Sequence, residues 1–144
     1  MILLLGGVGA GKTTFLHRFF RIILKDKSNF FWFYVNFGKA PIDASKIEEF
    51  IYQKIIEQFE VEYYKTVRDE LDKFSDKLSI SIDKNNWKRY VSSLFAALRC
   101  LGYSISLAVD NVDQHDAEMQ EKIFLETEHI TDELRLVTVN FDIK

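Results

Sequence analysis

The chain has 144 residues, of which 47% are hydrophobic and 15% aromatic, a composition that excludes a disordered chain and predicts one folded domain over residues 1–144. The formal net charge of −3 gives no reason to expect tight nucleic-acid binding, and the single cysteine, Cys100, excludes an internal disulfide framework and favours a cytoplasmic location. No apolar run is long enough to predict a transmembrane helix, so no membrane partner is expected.

Strands and helices are predicted to alternate along the chain. Unbroken runs of apolar and β-forming residues predict four buried strands, which are Ile2–Leu5, Phe30–Phe37, Ile105–Val109 and Leu134–Val139. Apolar residues at helical spacing predict five helices, which are Lys12–Lys25, Ser45–Phe59, Val61–Leu78, Asn86–Leu101 and Ala117–Ile130. This alternation predicts an α/β fold of three layers, in which helices cover both faces of a mainly parallel sheet.

Side-chain patterns also predict which helix positions are buried and where helices begin and end. The first helix has an apolar inner side made of Phe15, Leu16, Phe19, Ile22 and Ile23. The third has a stripe made of Val61, Tyr64, Val67, Leu71, Phe74 and Leu78. Ser45 and Glu48 are spaced as a capping box, Asp116 is placed to cap the last helix, and Gly102 is placed to end the fourth.

The most informative motif is a glycine-rich loop between the first strand and the first helix. It matches G-x-x-x-x-G-K-[ST] at every fixed position, in the order Gly6, Gly7, Val8, Gly9, Ala10, Gly11, Lys12 and Thr13. Glycines let backbone N–H groups form a nest around a phosphate, and the start of the following helix adds further N–H groups. Lys12 supplies a positive charge for the outer phosphates and Thr13 a hydroxyl for Mg²⁺. Thr14 adds a second hydroxyl.

A carboxylate ends the third predicted strand. Asp110 follows a largely apolar run, the pattern of a Walker B strand, and a phosphate-bound Mg²⁺ needs a carboxylate opposite the hydroxyl of the loop. Asn111 stands where many P-loop ATPases carry a glutamate, and its amide can orient water but cannot act as a general base. Asp113 is the remaining acid in reach, and it either polarises the attacking water or caps the turn before the next helix.

Asn140 follows the fourth predicted strand. A polar side chain at the carboxyl end of a parallel strand lies at the edge of the sheet where ligands bind in α/β folds. In many P-loop ATPases such a side chain contacts the γ-phosphate or the attacking water, and the alternative is that Asn140 simply closes the strand.

These motifs together resemble the additional-strand class of P-loop ATPases. The resemblance rests on the Gly6–Thr13 loop, the long aromatic second strand, the Asp110–Asp113 block and the Leu134–Asn140 strand. Within that class the chain is most similar to the nucleotide-binding core of STAND-type signalling ATPases, close to AAA+ proteins of the origin-recognition kind. The resemblance implies a switch that binds ATP with Mg²⁺ and couples the nucleotide state to domain rearrangement or assembly.

The resemblance also implies roles for residues and an order for the strands. Lys12 and Thr13 would contact phosphate and Mg²⁺, Asp110 would be the Mg²⁺ carboxylate, Asp113 the base and Asn140 a sensor of the nucleotide. The class orders its sheet 5-1-4-3-2, and only four strands are predicted here. We therefore expect a fragment of a larger ATPase core, with the first strand at a sheet edge that promotes self-association or pairing with other domains of the parent protein.

Two other functions stay open from the sequence. A small P-loop kinase that phosphorylates a metabolite or nucleotide would suit the length, although no arginine-rich lid is present. A degenerate interaction module that keeps the fold and has lost turnover is favoured by Asn111 and opposed by the intact Gly11, Lys12 and Thr13.

Overall fold

The computed structural model describes residues 2–4, 11–23, 29–38, 43–78, 86–134 and 137–141. Four strands in this part form one sheet, and they are β1 (Ile2–Leu4), β2 (Phe30–Asn36), β3 (Ser104–Asp110) and β4 (Val137–Phe141). The strands lie in the order β1-β4-β3-β2, and all three pairs are parallel. The predicted α/β architecture with a parallel sheet is thus confirmed. The strand order agrees with the 1-4-3-2 part of the order that the resemblance implied.

Helices connect these strands. They are α1 (Lys12–Arg18), α2 (Ile47–Gln58), α3 (Tyr64–Leu78), α4 (Trp87–Cys100) and α5 (Ala117–Leu134). A π-helical segment, Phe19–Ile23, continues α1, and another, Phe59–Tyr63, joins α2 directly to α3. The two helices predicted between β2 and residue 78 are therefore one continuous helical segment. No helix in the described ranges is both long and apolar enough to span a bilayer.

The sheet has two faces, which we call the core face and the α1 face. On the core face, alternate side chains of β2 and β3 pack against α2, α4 and α5, and these side chains are Phe31, Phe33, Val35, Ile105, Leu107 and Val109. On the α1 face, Trp32 and Ala108 pack against Leu16 of α1. Helices therefore cover both faces, as predicted.

Burial corrects two of the predicted apolar stripes. Leu16 is buried, but Phe15 and Ile22 are 50% and 63% exposed, so only part of the predicted inner side of α1 is covered. Val67 and Leu71 are buried as predicted, whereas Val61 is 79% exposed. The physical reason is the π-helical turn around Val61, which breaks the 3.6-residue period from which the stripe was predicted.

Helix ends confirm some predicted caps and correct others. Asp43, and not Ser45, caps the turn before α2, because its Oδ1 accepts from both the Ser45 N–H and the Ser45 hydroxyl at 3.0 Å. Asp116 caps α5 as predicted, accepting from the Met119 N–H at 2.8 Å. Gly102 has the positive φ of 89° that a helix-ending glycine adopts. Leu134, predicted to begin the last strand, is the final residue of α5.

Side chains from the α2–α3 segment close the outer edge of β2. The Tyr63 hydroxyl donates to the Trp32 carbonyl at 2.7 Å and accepts from the Trp32 N–H at 3.4 Å. The Gln58 Oε1 accepts from the Tyr34 N–H at 2.8 Å. An unpaired strand edge is a template for pairing with another chain, so these bonds protect this side of the sheet.

Candidate functional site

Asp110 is the last residue of β3 and is completely buried. It stands on the α1 face, because it continues the alternation of Ser106 and Ala108 along the strand. A buried carboxylate is stable only where donors surround it, so its partners define the site.

The first partner comes from the start of α1. Gly11 precedes the helix with a left-handed φ of 79°, a conformation that glycine adopts without strain, and its carbonyl accepts the Phe15 N–H at 2.8 Å. Thr13 then places its Oγ1 2.6 Å from Asp110 Oδ2 and donates to it across 97 residues of sequence. Lys12, beside it, is buried, with 8% of its surface exposed. The hydroxyl of the loop motif and the carboxylate of the strand motif are thus in direct contact.

The second partner is a tyrosine of β2. The Tyr34 hydroxyl donates to the same oxygen, Asp110 Oδ2, at 2.7 Å. Tyr34 pairs in register with Ala108, so Asp110 is its diagonal neighbour on the same face, within reach of a long aromatic side chain. Burial, the hydrogen bond to Asp110 and the charge of Asp110, in that order, raise the pKa of the Tyr34 phenol well above its usual value. The phenol therefore stays protonated and remains a donor.

A pair of amides lies next to the carboxylate. The Asn111 N–H donates to Asp110 Oδ1 at 2.8 Å, and the Asn111 side-chain amide donates to Asn36 Oδ1 at 2.9 Å. Asn111 has a φ of 59°, a left-handed conformation that asparagine tolerates better than most residues. The Gly38 N–H also donates to Asn36 Oδ1, at 2.8 Å. Asn36 thus holds the Asn111 side chain against the end of β2.

The turn after β3 positions the remaining predicted acid. Asp113 lies in a 3₁₀ turn, Val112–Gln114, and is partly exposed. The cap of the next helix, α5, is Asp116 and not Asp113. His115 Nε2 lies 2.7 Å from the Phe37 carbonyl and ties this turn to the end of β2. The turn is thereby held beside the Asp110 site.

The other predicted site residues are described less completely. Five residues of the loop lie outside the described residues, and they are Gly6, Gly7, Val8, Gly9 and Ala10. Thr14 is exposed in the first turn of α1. Asn140 is paired in register with Val109 and Leu3, inside β4 and not after it, and its contact with a nucleotide stays a prediction.

Sequence reasoning missed Tyr34 and Asn36. The reason is that the run from Phe30 to Phe37 is dominated by aromatic residues, which predicted a strand buried throughout, whereas Tyr34 is half-buried and Asn36 is exposed. A usable signal was present, since Asn36 is a polar residue at the carboxyl end of a buried strand, which is the property that drew attention to Asp110 and Asn140. Tyr34, two residues earlier, shares its face.

The donor set fits Mg²⁺ carried by a phosphate ligand. Thr13 and Asp110 supply one hydroxyl and one carboxylate, and the described residues contain no group of three or more His, Cys, Asp or Glu side chains suited to a metal. Mg²⁺ is usually held by one or two protein oxygens together with phosphates and water. If Mg²⁺ binds here, most of its ligands would therefore have to come from phosphates and water.

No protein-family model, no curated protein and no solved structure matches this chain.

Proposed function

We propose that this chain is an ATP-binding module of the P-loop class, with the fold of the additional-strand ATPases, that acts as a nucleotide-dependent switch in a larger STAND- or AAA+-like protein of the cytoplasm. The observation that carries the proposal is the 2.6 Å hydrogen bond between Thr13 Oγ1 and Asp110 Oδ2. It brings the loop motif and the strand motif to one point, and the two motifs are otherwise unrelated in sequence.

The residues of this site would share the binding of Mg²⁺ and ATP. The N–H groups at the start of α1 and the Lys12 ammonium would bind phosphate oxygens. Thr13 would offer an oxygen lone pair to Mg²⁺ while its hydroxyl continues to donate its hydrogen to Asp110 Oδ2, which is the direction of donation in the structure. Mg²⁺ held by Thr13 and Asp110 would supply positive charge against the phosphate oxygens. The strand order β1-β4-β3-β2 supports the same class.

Turnover is expected to be slow or to depend on a partner. Asn111 is an amide, and its Nδ2 is engaged by Asn36, so it does not serve as a base. Asp113, in the turn that follows β3, is our candidate to polarise the attacking water. A non-hydrolysing module is the second candidate function, and the amide at position 111 is the observation that favours it.

The first experiment is Mg²⁺-dependent binding of labelled ATP, with GTP as a competitor. We expect Lys12→Ala to weaken ATP binding by about a hundredfold, since a buried charged contact to phosphate is lost. Asp110→Asn should weaken binding only when Mg²⁺ is present. Lys122→Ala is the matched control, because Lys122 pairs with Glu118 on the surface of α5, away from the site.

Two outcomes would contradict the proposal. A folded wild-type protein without affinity for ATP would exclude an ATP-binding module, and so would equal losses in Lys12→Ala and Lys122→Ala. Phosphate release by the ATP-bound wild type, absent in Asp113→Asn, would support the switch with slow hydrolysis. Tight binding without any release of phosphate would favour the non-hydrolysing module.

A further inference from the structure

The carboxylate of Asp110 has donors on both of its oxygens. Oδ1 accepts the Asn111 N–H, and Oδ2 accepts the hydroxyls of Thr13 and Tyr34 at 2.6 and 2.7 Å. The Asn111 N–H is a partner because Asn111 is the next residue along the chain, and the Thr13 hydroxyl is a partner because the loop motif lies beside the end of β3. The third is a phenol from another strand, which no motif of the chain requires.

We propose that Tyr34 is a positioning residue of the Mg²⁺ site, which holds the Asp110 carboxylate in the orientation that engages Thr13. This inference rests on the proposed function, and it adds a residue that acts on the metal only through Asp110.

The Tyr34 side chain is itself held from several directions. Its ring centroid lies 5.0 Å from that of His17 on α1 and 6.0 Å from that of Trp32 on the same strand. Its backbone N–H is bound by Gln58. Tyr34 pairs with Ala108, whose methyl group leaves room for a ring on this face. These contacts therefore fix the position of the phenol oxygen, which a residue that orients a binding group requires.

The orientation of the carboxylate matters because Thr13 has two tasks. Its hydrogen must point to Asp110 so that its oxygen lone pair is free for Mg²⁺. The Tyr34 phenol, as a second donor to Asp110 Oδ2, keeps this oxygen in the position where it accepts the Thr13 hydrogen. Without the phenol, the buried carboxylate loses a donor to Oδ2, so the rotation of its side chain is less restricted and its negative charge is less well satisfied. Mg²⁺ affinity should fall, whereas nucleotide affinity without Mg²⁺ should not.

A matched variant, Tyr63→Phe, distinguishes a role of the Tyr34 hydroxyl at the Mg²⁺ site from a purely structural role in β2. Tyr63 also presents a hydroxyl to β2, but that hydroxyl bonds the Trp32 backbone and does not touch Asp110. Tyr63→Phe therefore removes a hydrogen bond to the same strand without removing a donor from the site. A loss that comes only from loosening β2 should appear in both variants.

The test is a Mg²⁺ titration of labelled-ATP binding in the wild type, Tyr34→Phe and Tyr63→Phe. We expect Tyr34→Phe to raise the half-saturating Mg²⁺ concentration about tenfold, the size expected for one hydrogen bond to a charged group. Its affinity for ATP without Mg²⁺ should stay within about twofold of the wild type, and Tyr63→Phe should leave both values unchanged. Equal Mg²⁺ dependence in the two variants would overturn the role of Tyr34 and leave the proposed function intact. A wild type without Mg²⁺-dependent ATP binding would instead overturn the proposed function, and this inference with it.

A second measurement keeps the test decisive if Tyr34→Phe does not fold. 3-Fluorotyrosine at position 34 retains the ring and the hydroxyl, and its ¹⁹F resonance reports on the phenol. We expect this resonance to move when Mg²⁺ is added to the ATP complex, while the same label at position 63 stays in place. A position-34 signal that ignores Mg²⁺ would contradict the proposal.

Discussion

The two faces of the sheet carry different side chains although they belong to the same strands. On the core face, β3 presents three buried apolar residues, Ile105, Leu107 and Val109. On the α1 face the same strand presents small or polar residues that are equally buried, Ser106, Ala108 and Asp110. Burial therefore does not distinguish the faces, but the size and polarity of the side chains do.

This difference separates stability from chemistry within one strand. Hydrophobic stabilisation grows with the apolar area removed from water, so the core face contributes more of it. Small residues on the α1 face leave room for α1 and for the Tyr34 phenol. Since a buried carboxylate needs donors, that face also brings Thr13 and Tyr34 together at Asp110. Four substitutions test this division, in order of decreasing effect on the free energy of unfolding.

Leu107→Ala should have the largest effect. Leu107 is fully buried on the core face, and truncation there removes apolar contacts and leaves a cavity. We expect a loss of about 3 kcal/mol in the free energy of unfolding, measured by urea denaturation. Leu125→Ala in α5 is the control, since Leu125 is 52% exposed and should change stability by less than about 0.5 kcal/mol. Similar losses in both variants would contradict a core located on this face.

Ala108→Val tests the α1 face by adding side-chain volume, whereas Leu107→Ala removes it from the core face. Ala108 is fully buried against Leu16 and Trp32, so added methyl groups must displace a neighbour. The expected loss is about 2 kcal/mol, from overpacking. Ala117→Val, at an exposed position of α5, controls for the substitution itself and should change stability by less than about 0.5 kcal/mol. An unchanged stability in Ala108→Val would show that this face has space to spare.

Tyr63→Phe tests the outer edge of β2, which is the last strand on this side of the sheet. The variant loses the hydroxyl that bonds the Trp32 backbone, and we expect a loss of about 1 kcal/mol near neutral pH. Denaturation curves of the two proteins at the same pH measure it. Stability equal to that of the wild type would mean that water replaces this hydroxyl without penalty.

The same variant should change the response to alkaline pH. Burial raises the pKa of the Tyr63 phenol from 10.0 to about 12, although the Trp32 N–H that donates to the phenol oxygen acts in the opposite direction. Between these pH values the unfolded chain loses a proton that the folded chain keeps, so rising pH favours unfolding. The contribution of Tyr63 is complete below pH 10 and is lost up to about pH 12. Tyr63→Phe should therefore show a shallower decline over this window.

Tyr52→Phe should change the free energy of unfolding by about as much as Tyr63→Phe, but in the opposite direction. Tyr52 is buried in α2, and its hydroxyl has no hydrogen-bond partner in the part of the chain that the structure describes. Removing an unsatisfied buried hydroxyl relieves its desolvation penalty, so we expect a gain of about 1 kcal/mol. Thermal and urea unfolding beside Tyr63→Phe give the comparison. A loss as large as that of Tyr63→Phe would mean that the Tyr52 hydroxyl is bonded in solution.

Much of the fold was predictable because its signals are local. Runs of β-forming residues predicted β2 as Phe30–Phe37 and β3 as Ile105–Val109, each within about one residue of the observed ends. The contact between Thr13 and Asp110 reflects a second regularity, which is a property of parallel sheets. The carboxyl ends of parallel strands lie at one edge of a sheet, so motifs far apart in sequence arrive at the same place.

The errors arose where packing overrides local pattern. Val61 belongs to an apolar stripe in the sequence, but the π-helical turn moves it to the surface. Leu134 has the apolar character of a strand residue, yet it is buried as the last residue of α5. Asp43 replaced Ser45 as the cap because a 3₁₀ turn, Ala44–Lys46, precedes the helix. In each case a single local segment is compatible with two conformations.

The sequence by itself determined the alternation of strands and helices, the loop motif that ends in Gly11, Lys12 and Thr13, and the carboxylate at the end of β3. Only the tertiary structure decided that Tyr34 joins Thr13 on one oxygen of Asp110 and that Asn36 holds Asn111. The physical reason is register. Which side chains of neighbouring strands lie opposite one another depends on how the strands are paired, and the aromatic-rich sequence of β2 carries no polar alternation that would reveal this pairing.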